Sequence, residues 1–227
     1  MPLPAPTRSQ LAGDSRNSGD ETGAAALRRE NGILKQKNEQ LIRRLSNVSR
    51  RALAADRLAH HDGLTGLPNR LVLIKRLQRA LAVARRQQSS LSLLFVDLDG
   101  FKRVNDRFGH RTGDLLLTVV GARIAACVRF DDIACRYGGD EFVVLLGNDA
   151  DPLVAARTAR SIRESIGRHY AIEGQRLTIT ASIGIATYPD DGLRYDVLLG
   201  RADDAMYRDK AARKGPGGPP GGPPDQG

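Results

Sequence analysis

Between residues 24 and 60 the apolar positions recur every seven residues, at Leu27, Leu34, Leu41 and Val48. Asn31, Asn38, Leu45 and Ala52 stand four places after them. A repeat of this period predicts one long helix over 24–60 with a seam whose d positions are aliphatic and whose a positions include two asparagines. Buried Asn at a lowers stability but favours one register and two strands, so the pattern predicts a coiled-coil dimer; a single helix packing on the rest of the chain is the alternative. Gly32 weakens the early turns by about 1 kcal/mol relative to Ala.

His60-His61-Asp62-Gly63 breaks the seven-residue pattern. Pro68 suits the first turn of a new helix running to about Arg86, with Leu71, Ile74, Leu77 and Leu81 on one face. The chain then predicts a strand over 91–98, a polar loop with a short helix, a helix over 113–128, a hairpin over 132–147, a helix over 152–168, a strand over 176–187 and a last helix over 195–213. From 91 to 187 the order is β-α-β-β-α-β. That order predicts an α+β, ferredoxin-like domain: a mainly antiparallel sheet with helices on one face. Residues 1–23 are rich in Pro, Ser, Gly and Asp, and the end, GPGGPPGGPPDQG from Gly215, cannot form helix or strand; both read as disordered. The expected organisation is therefore 1–23 disordered, 24–60 coiled coil, 61–214 globular domain and 215–227 flexible tail.

Composition adds three constraints. Net charge is +9, and residues 1–60 hold 11 Lys/Arg against 6 Asp/Glu, so the globular part is only mildly basic. Such an excess either attracts anions or is a plain solvated face. Cys127 and Cys135 have neither disulfide-framework nor zinc-site spacing, and read as reduced thiols of a cytoplasmic protein. No run of 18 apolar residues exists, so no membrane span is expected, and the N-terminus has no secretory apolar core.

The candidate chemistry lies in the acids. Residues 136–142 read Arg136-Tyr137-Gly138-Gly139-Asp140-Glu141-Phe142, two glycines and two acids between apolar runs. Glycine permits a tight turn with positive φ, which places Asp140 and Glu141 at a hairpin tip. The buried-looking strand LSLLFV runs into Asp97-Leu98-Asp99, whose two acids share a strand face. Side by side, these acids repel unless a cation intervenes, and Mg²⁺ prefers such oxygen ligands while leaving room for phosphates. Taken singly, each acid pair also reads as a turn or cap. After Gly100, Phe101 and Lys102 offer backbone N–H groups and an ammonium suited to a triphosphate. Asn105 and Asp114 can together pair with a guanine edge, because an Asp accepts from N1–H and adenine has no such donor. Asp114 as a helix N-cap, Asn105 as a loop residue and His110 as a structural histidine are the alternatives.

Several segments, in order, resemble the motifs of the GGDEF family of diguanylate cyclases: DGLTGLPNR (62–70), DLDGFKRVNDRFGHRTGD (97–114), RYGGDEF (136–142), TASIGIA (180–186) and the closing helix Ala202–Lys210. The resemblance covers about residues 61–214. It implies condensation of two GTP molecules into cyclic di-GMP with release of two pyrophosphates, each 3′-hydroxyl attacking the α-phosphate of the other GTP. It implies that Asp97, the Leu98 carbonyl and Asp140 bind two Mg²⁺ ions per site, with Mn²⁺ an admissible substitute. Asp140 would also be the base, Glu141 a supporting acid, and Lys102 the group that stabilises charge on the phosphates. Phe101, Asn105, His110 and Asp114 match nucleotide-binding positions, and Lys210 matches a phosphate-contacting lysine. The family commonly continues after that lysine with Gly-Arg-Asn, where this chain has Ala211-Ala212-Arg213-Lys214-Gly215; Lys214 in place of the arginine lacks its bidentate fork.

The same resemblance assigns Arg129 and Asp132 to an Arg-x-x-Asp inhibitory site for the product, completed by Arg160, with an ordinary surface ion pair as the alternative. It also implies a homodimer, since one domain holds one GTP, and gives the helix over 24–60 the task of raising the local concentration of the partner. Two other functions compete: a non-catalytic GTP or cyclic di-GMP receptor, and a nucleic-acid binder using the basic helix. The retained acids argue against the first. The absence of a dense basic region before the zipper argues against the second, so no nucleic-acid partner is expected.

Overall fold

A computed structural model describes residues 14–147 and 151–214. The expectation of a disordered tail at 215–227 lies outside the described residues, as does that for residues 1–13. The chain divides into two compact units, Met1–Asp56 and Arg57–Gly227.

Helix α1, Asp14–His60, makes up the described part of the first unit and ends four residues into the second. It starts ten residues ahead of the expected boundary at 24, so residues 14–23 are helical rather than disordered. The sequence reason is that Pro2, Pro4 and Pro6 all precede Asp14, and no proline lies between Asp14 and His60. Leu27, Leu34, Leu41, Leu45 and Val48 are between 50% and 73% exposed.

In the second unit α2 (Arg70–Gln87) opens on Asn69, whose side chain accepts from the Val72 N–H. The start signal is thus this N-cap, and Pro68 stands before the helix rather than in its first turn. The buried face is Leu73, Leu77, Leu81 and Ala84, with Leu71 half exposed. There follow β1 (Leu91–Asp99), α3 (Phe101–Phe108), α4 (His110–Ala125), β2 (Ile133–Gly138), β3 (Glu141–Leu146) and α5 (Pro152–Ile166). A short hairpin, β4 (Tyr170–Ile172) and β5 (Gln175–Leu177), precedes β6 (Thr180–Tyr188) and α6 (Tyr195–Lys214). The single strand expected over 176–187 is therefore two, β5 and β6. The β4–β5 hairpin has left-handed backbone at both Glu173 and Gly174 in its turn, and only Gly174 advertises that in sequence.

The main sheet has the order β2-β3-β1-β6 with every neighbouring pair antiparallel, the ferredoxin-like arrangement. Helices cover both faces, not one. Leu94, Val96 and Leu98 face α4 and α5 through Leu116, Val120, Ile124 and Ile162. Leu91, Leu93 and Phe95 face α2 and α6 through Leu73, Leu77, Leu198 and Met206. The apolar run of β1, buried from Leu91 to Leu98, is what a strand covered on both faces requires. On β6, a Cβ at Gly184 would collide with the α6 backbone at Ala202 and Met206, so this glycine lets α6 lie directly on the sheet. That close seating fixes where the last turns of α6 meet the end of β1.

Candidate active site

The site forms where β1 ends and the β2–β3 hairpin turns. Asp97 and Glu141 are register partners, and the Leu98 N–H donates to the Asp140 carbonyl at 3.4 Å. In an antiparallel strand a residue's N–H and C=O point to the same side, so the Leu98 carbonyl also faces the turn. Gly139 adopts φ +50°, and a Cβ there would meet nothing. Its glycine therefore answers a conformational demand, not a lack of space.

A clasp holds this turn. Arg136 donates through Nε and Nη2 to the Gly139 carbonyl at 3.0 and 2.8 Å, and through Nη1 to both Asp62 oxygens at 3.1 Å. Asp62 also accepts from the Thr65 N–H at 2.8 Å and its hydroxyl at 2.7 Å. Burial acts to raise the Asp62 carboxyl, but the Thr65 hydrogen bonds and Arg136 outweigh it and hold it below its ordinary value. No role for the Asp62 segment was read from the sequence. Its short Asp-x-x-Thr spacing hints at a local turn, yet its partner lies 74 residues away.

The acids beyond the clasp are differently placed. Asp97 is 8% exposed, and Lys210 of α6 donates to its Oδ1 at 2.6 Å. Asp140 is pushed above its ordinary value by burial and then by the charge of Asp97. Glu141 is raised by burial, then by Asp97, Asp203 and Asp140. Asp203 of α6, which sequence reasoning passed over, is itself raised by burial, Asp204 and Asp97. For Lys210, burial favours the neutral amine, but its bond to Asp97 and the charges of Asp97, Asp140 and Asp99 prevail and raise it. Asp99 is satisfied otherwise, accepting from the Thr180 hydroxyl at 2.8 Å and the Ser182 hydroxyl at 2.7 Å. The two acids of β1 thus serve separate ends: one faces the hairpin acids, the other ties β1 to β6.

Among the described residues no group of three or more His, Cys, Asp or Glu has metal-holding geometry. The donor set at the turn is instead two carboxylates, Asp97 and Asp140, and the Leu98 carbonyl. These hard oxygens, beside Glu141, are of the kind that could hold a hard divalent cation.

Gly100, at φ +79°, leads from β1 into α3, and Gly109, at φ +83°, joins α3 to α4. Phe101 is buried and Lys102 exposed. Asn105 is half-buried within α3, not in a loop, and among the described residues its Oδ1 meets no hydrogen-bond partner. Asp114 is exposed in the second turn of α4, whose N-cap is Gly109, so the capping alternative for Asp114 falls away. His110 opens α4 and is exposed.

The Arg129–Asp132 corner lies at the opposite end of β2 from the Gly138–Gly139 turn. Asp132 accepts from the Arg129 N–H at 2.9 Å and the Gly147 N–H at 3.1 Å, and among the described residues no ion pair joins the two side chains. The surface-ion-pair alternative is therefore not what is seen. A groove of about 430 Å³ is lined by Arg129, Asp132 and, from α2, Arg76 and Arg79. Arg160, exposed on α5, is not among its lining residues. Phe130 is fully exposed beside it.

Residues 59–216 match the family described as "Diguanylate cyclase, GGDEF domain". The bifunctional diguanylate cyclase/cyclic di-GMP phosphodiesterase MucR of Pseudomonas aeruginosa is 48% identical over 153 residues, covering 67% of this chain and 22% of that protein. A solved structure of an N-terminally truncated TpbB (YfiN) from the same organism, comprising only the GGDEF domain, is 42% identical, with a TM-score of 0.66 over 67% of this chain and 90% of that one. The coiled coil and GGDEF domain of DgcB from Caulobacter crescentus, solved with c-di-GMP, is 29% identical, with a TM-score of 0.68 over 79% of this chain and 95% of that one. The chain spans only 20–36% of the length of the first of its curated relatives. Among the described residues no helix is long and apolar enough to cross a membrane.

Proposed function

The chain belongs to the GGDEF domain family of diguanylate cyclases, and from that membership we propose that it condenses two GTP molecules into cyclic di-GMP, working as a homodimer. The observation that carries the proposal is the trio of acids at the hairpin: Asp97, Asp140 and Glu141 are crowded at one end of the sheet, two of them raised by burial and by Asp97. Acids held in that state call for cationic ligands and for a substrate rich in phosphate.

Asp97, Asp140 and the Leu98 carbonyl would hold Mg²⁺, two ions per site, or Mn²⁺ in their place. When bound there, these ions supply charge neutralisation on the phosphates and lower the pKa of the attacking hydroxyl. Asp140 takes the 3′-hydroxyl proton of the GTP on the facing protomer. The 3′-oxygen bonds to the α-phosphorus, the bond from that phosphorus to the β-bridging oxygen breaks, and pyrophosphate leaves. Glu141 keeps the turn negative and supports the cation site. Lys102 and the backbone N–H groups of Phe101 and Lys102 stabilise the charge that grows on the phosphates. Lys210 gives up Asp97 for the terminal phosphates. Asn105 and Asp114 read guanine, with His110 beside them.

The α1 seam would bring two domains together and align two half-sites. Arg129 and Asp132, with Arg160 from α5, would bind product and inhibit. Incubation with GTP and Mg²⁺ followed by nucleotide chromatography tests the core of this reading. Cyclic di-GMP formed by the wild-type dimer and absent with Asp140→Asn supports it; GTP binding without product in the wild-type dimer overturns it.

A further inference from the structure

Gly113 lies in the first turn of α4, buried, against the side chain of Asn105 in α3. A Cβ built there would overlap Asn105 Oδ1 and lie 3.0 Å from Asn105 Cγ and 3.2 Å from Phe101 Cζ. The backbone itself does not ask for glycine, since Gly113 is helical and has no positive φ. Glycine inside a helix costs about 1 kcal/mol relative to Ala. What that cost secures is space, and the Asn105 carboxamide fills it. The same carboxamide carries a buried oxygen without a partner among the described residues. That oxygen is the very atom a Gly113 Cβ would overlap, so it lies in the slot and is seated there by space rather than by a hydrogen bond.

We propose that Gly113 determines nucleotide specificity as a positioning residue: its missing Cβ is the slot that seats the Asn105 carboxamide against α4, beside Asp114. Gly113 does not touch the nucleotide; it acts through Asn105. The inference rests on the reading of Asn105 and Asp114 as guanine-binding residues. Gly113→Ala closes the slot. The overlap is with the far end of a side chain that can rotate away, so the fold survives while the amide leaves its seat for another rotamer.

The test uses the full chain with 3′-deoxy-GTP, which lacks the attacking hydroxyl, and 3′-deoxy-ATP, with Kd measured by calorimetry in Mg²⁺. Asn105→Ala is expected to weaken 3′-deoxy-GTP about tenfold, the scale of one lost hydrogen bond. Gly113→Ala is expected to weaken it by a similar factor, with 3′-deoxy-ATP changing less than about twofold. The double variant should bind like Asn105→Ala alone, because no amide remains to be displaced. Wild-type affinity in Gly113→Ala alongside a loss in Asn105→Ala overturns this inference and leaves the guanine reading intact. Wild-type affinity in Asn105→Ala overturns the guanine reading and the inference with it. If Gly113→Ala lowers the Tm, the double variant decides: recovery supports the slot, whereas a persistent loss places the clash at Phe101 and overturns it.

Discussion

The carboxylates at the two ends of the Arg136 clasp are built on opposite terms. Asp62 receives two Thr65 donors and both contacts from one guanidinium nitrogen, and it sits below its ordinary pKa. Asp209 is similar: burial alone would raise it, but the Ile183 N–H and the guanidinium groups of Arg163 and Arg213 hold it down. Across the hairpin turn, Asp140, Glu141 and Asp203 are all raised. Acids that the chain satisfies hold the fold together. On the proposed function, acids that the chain leaves repelling are the ones that would meet a cation from solution. The same turn links them, since Arg136 fastens Gly139 to Asp62 and so sets where Asp140 stands.

The sharpest way to break this division is Asp140→Asn. Cyclic di-GMP synthesis should fall at least about 1,000-fold, as expected when a base and metal ligand is removed. The metal-free Tm should stay level or rise, because a repelling charge has gone. A falling Tm with activity retained would make Asp140 one of the satisfied acids. Arg136→Ala attacks the clasp. It should lower stability by about 2 kcal/mol in chemical denaturation, since the side chain is 15% exposed and leaves Asp62 and the Gly139 carbonyl short of donors. Product formation should fall with it, because the turn loses its anchor; unchanged stability would reduce the clasp to a surface contact.

Lys210→Met sharpens the other side. In the absence of divalent cations its Tm should drop by a few degrees, as Asp97 loses its cation. The rise in Tm on adding Mg²⁺ should exceed that of the wild type, because the lysine no longer competes for Asp97. An equal rise in both would show that Lys210 and the cation do not share a place. The smallest expected effect concerns pH. Asp62 and Asp209 have folded pKa values below their unfolded ones, so the stability they lend is fully present above the ordinary aspartate value of 3.8 and is lost as pH falls through the depressed values. Arg136→Ala should therefore show a shallower acid transition than the wild type below pH 3.8; identical slopes would mean that Asp62 is not held by the clasp.

The element order and the hairpin at Gly138–Gly139 were legible because both depend on neighbours within a few residues. Turn glycines, an apolar strand and helical periodicity are local signals. Coverage of both sheet faces was present in β1, whose apolar residues do not alternate, but a helix-on-one-face topology was the simpler inference from element order. The β4–β5 hairpin was hidden because Glu173 takes a left-handed backbone without being glycine or asparagine.

The sequence alone determined the family, the candidate residues for a nucleotide and cations, and a long helix with a seven-residue apolar repeat. Only tertiary structure decided which acids are satisfied and which are not. Nothing beside Asp62 or Asp97 in the sequence says what each will meet. One is met by an arginine 74 residues along, the other by a lysine 113 residues along and by acids from another strand. Charge pairing and repulsion depend on separation in space, and the folded sheet, with α6 seated on Gly184, is what sets it.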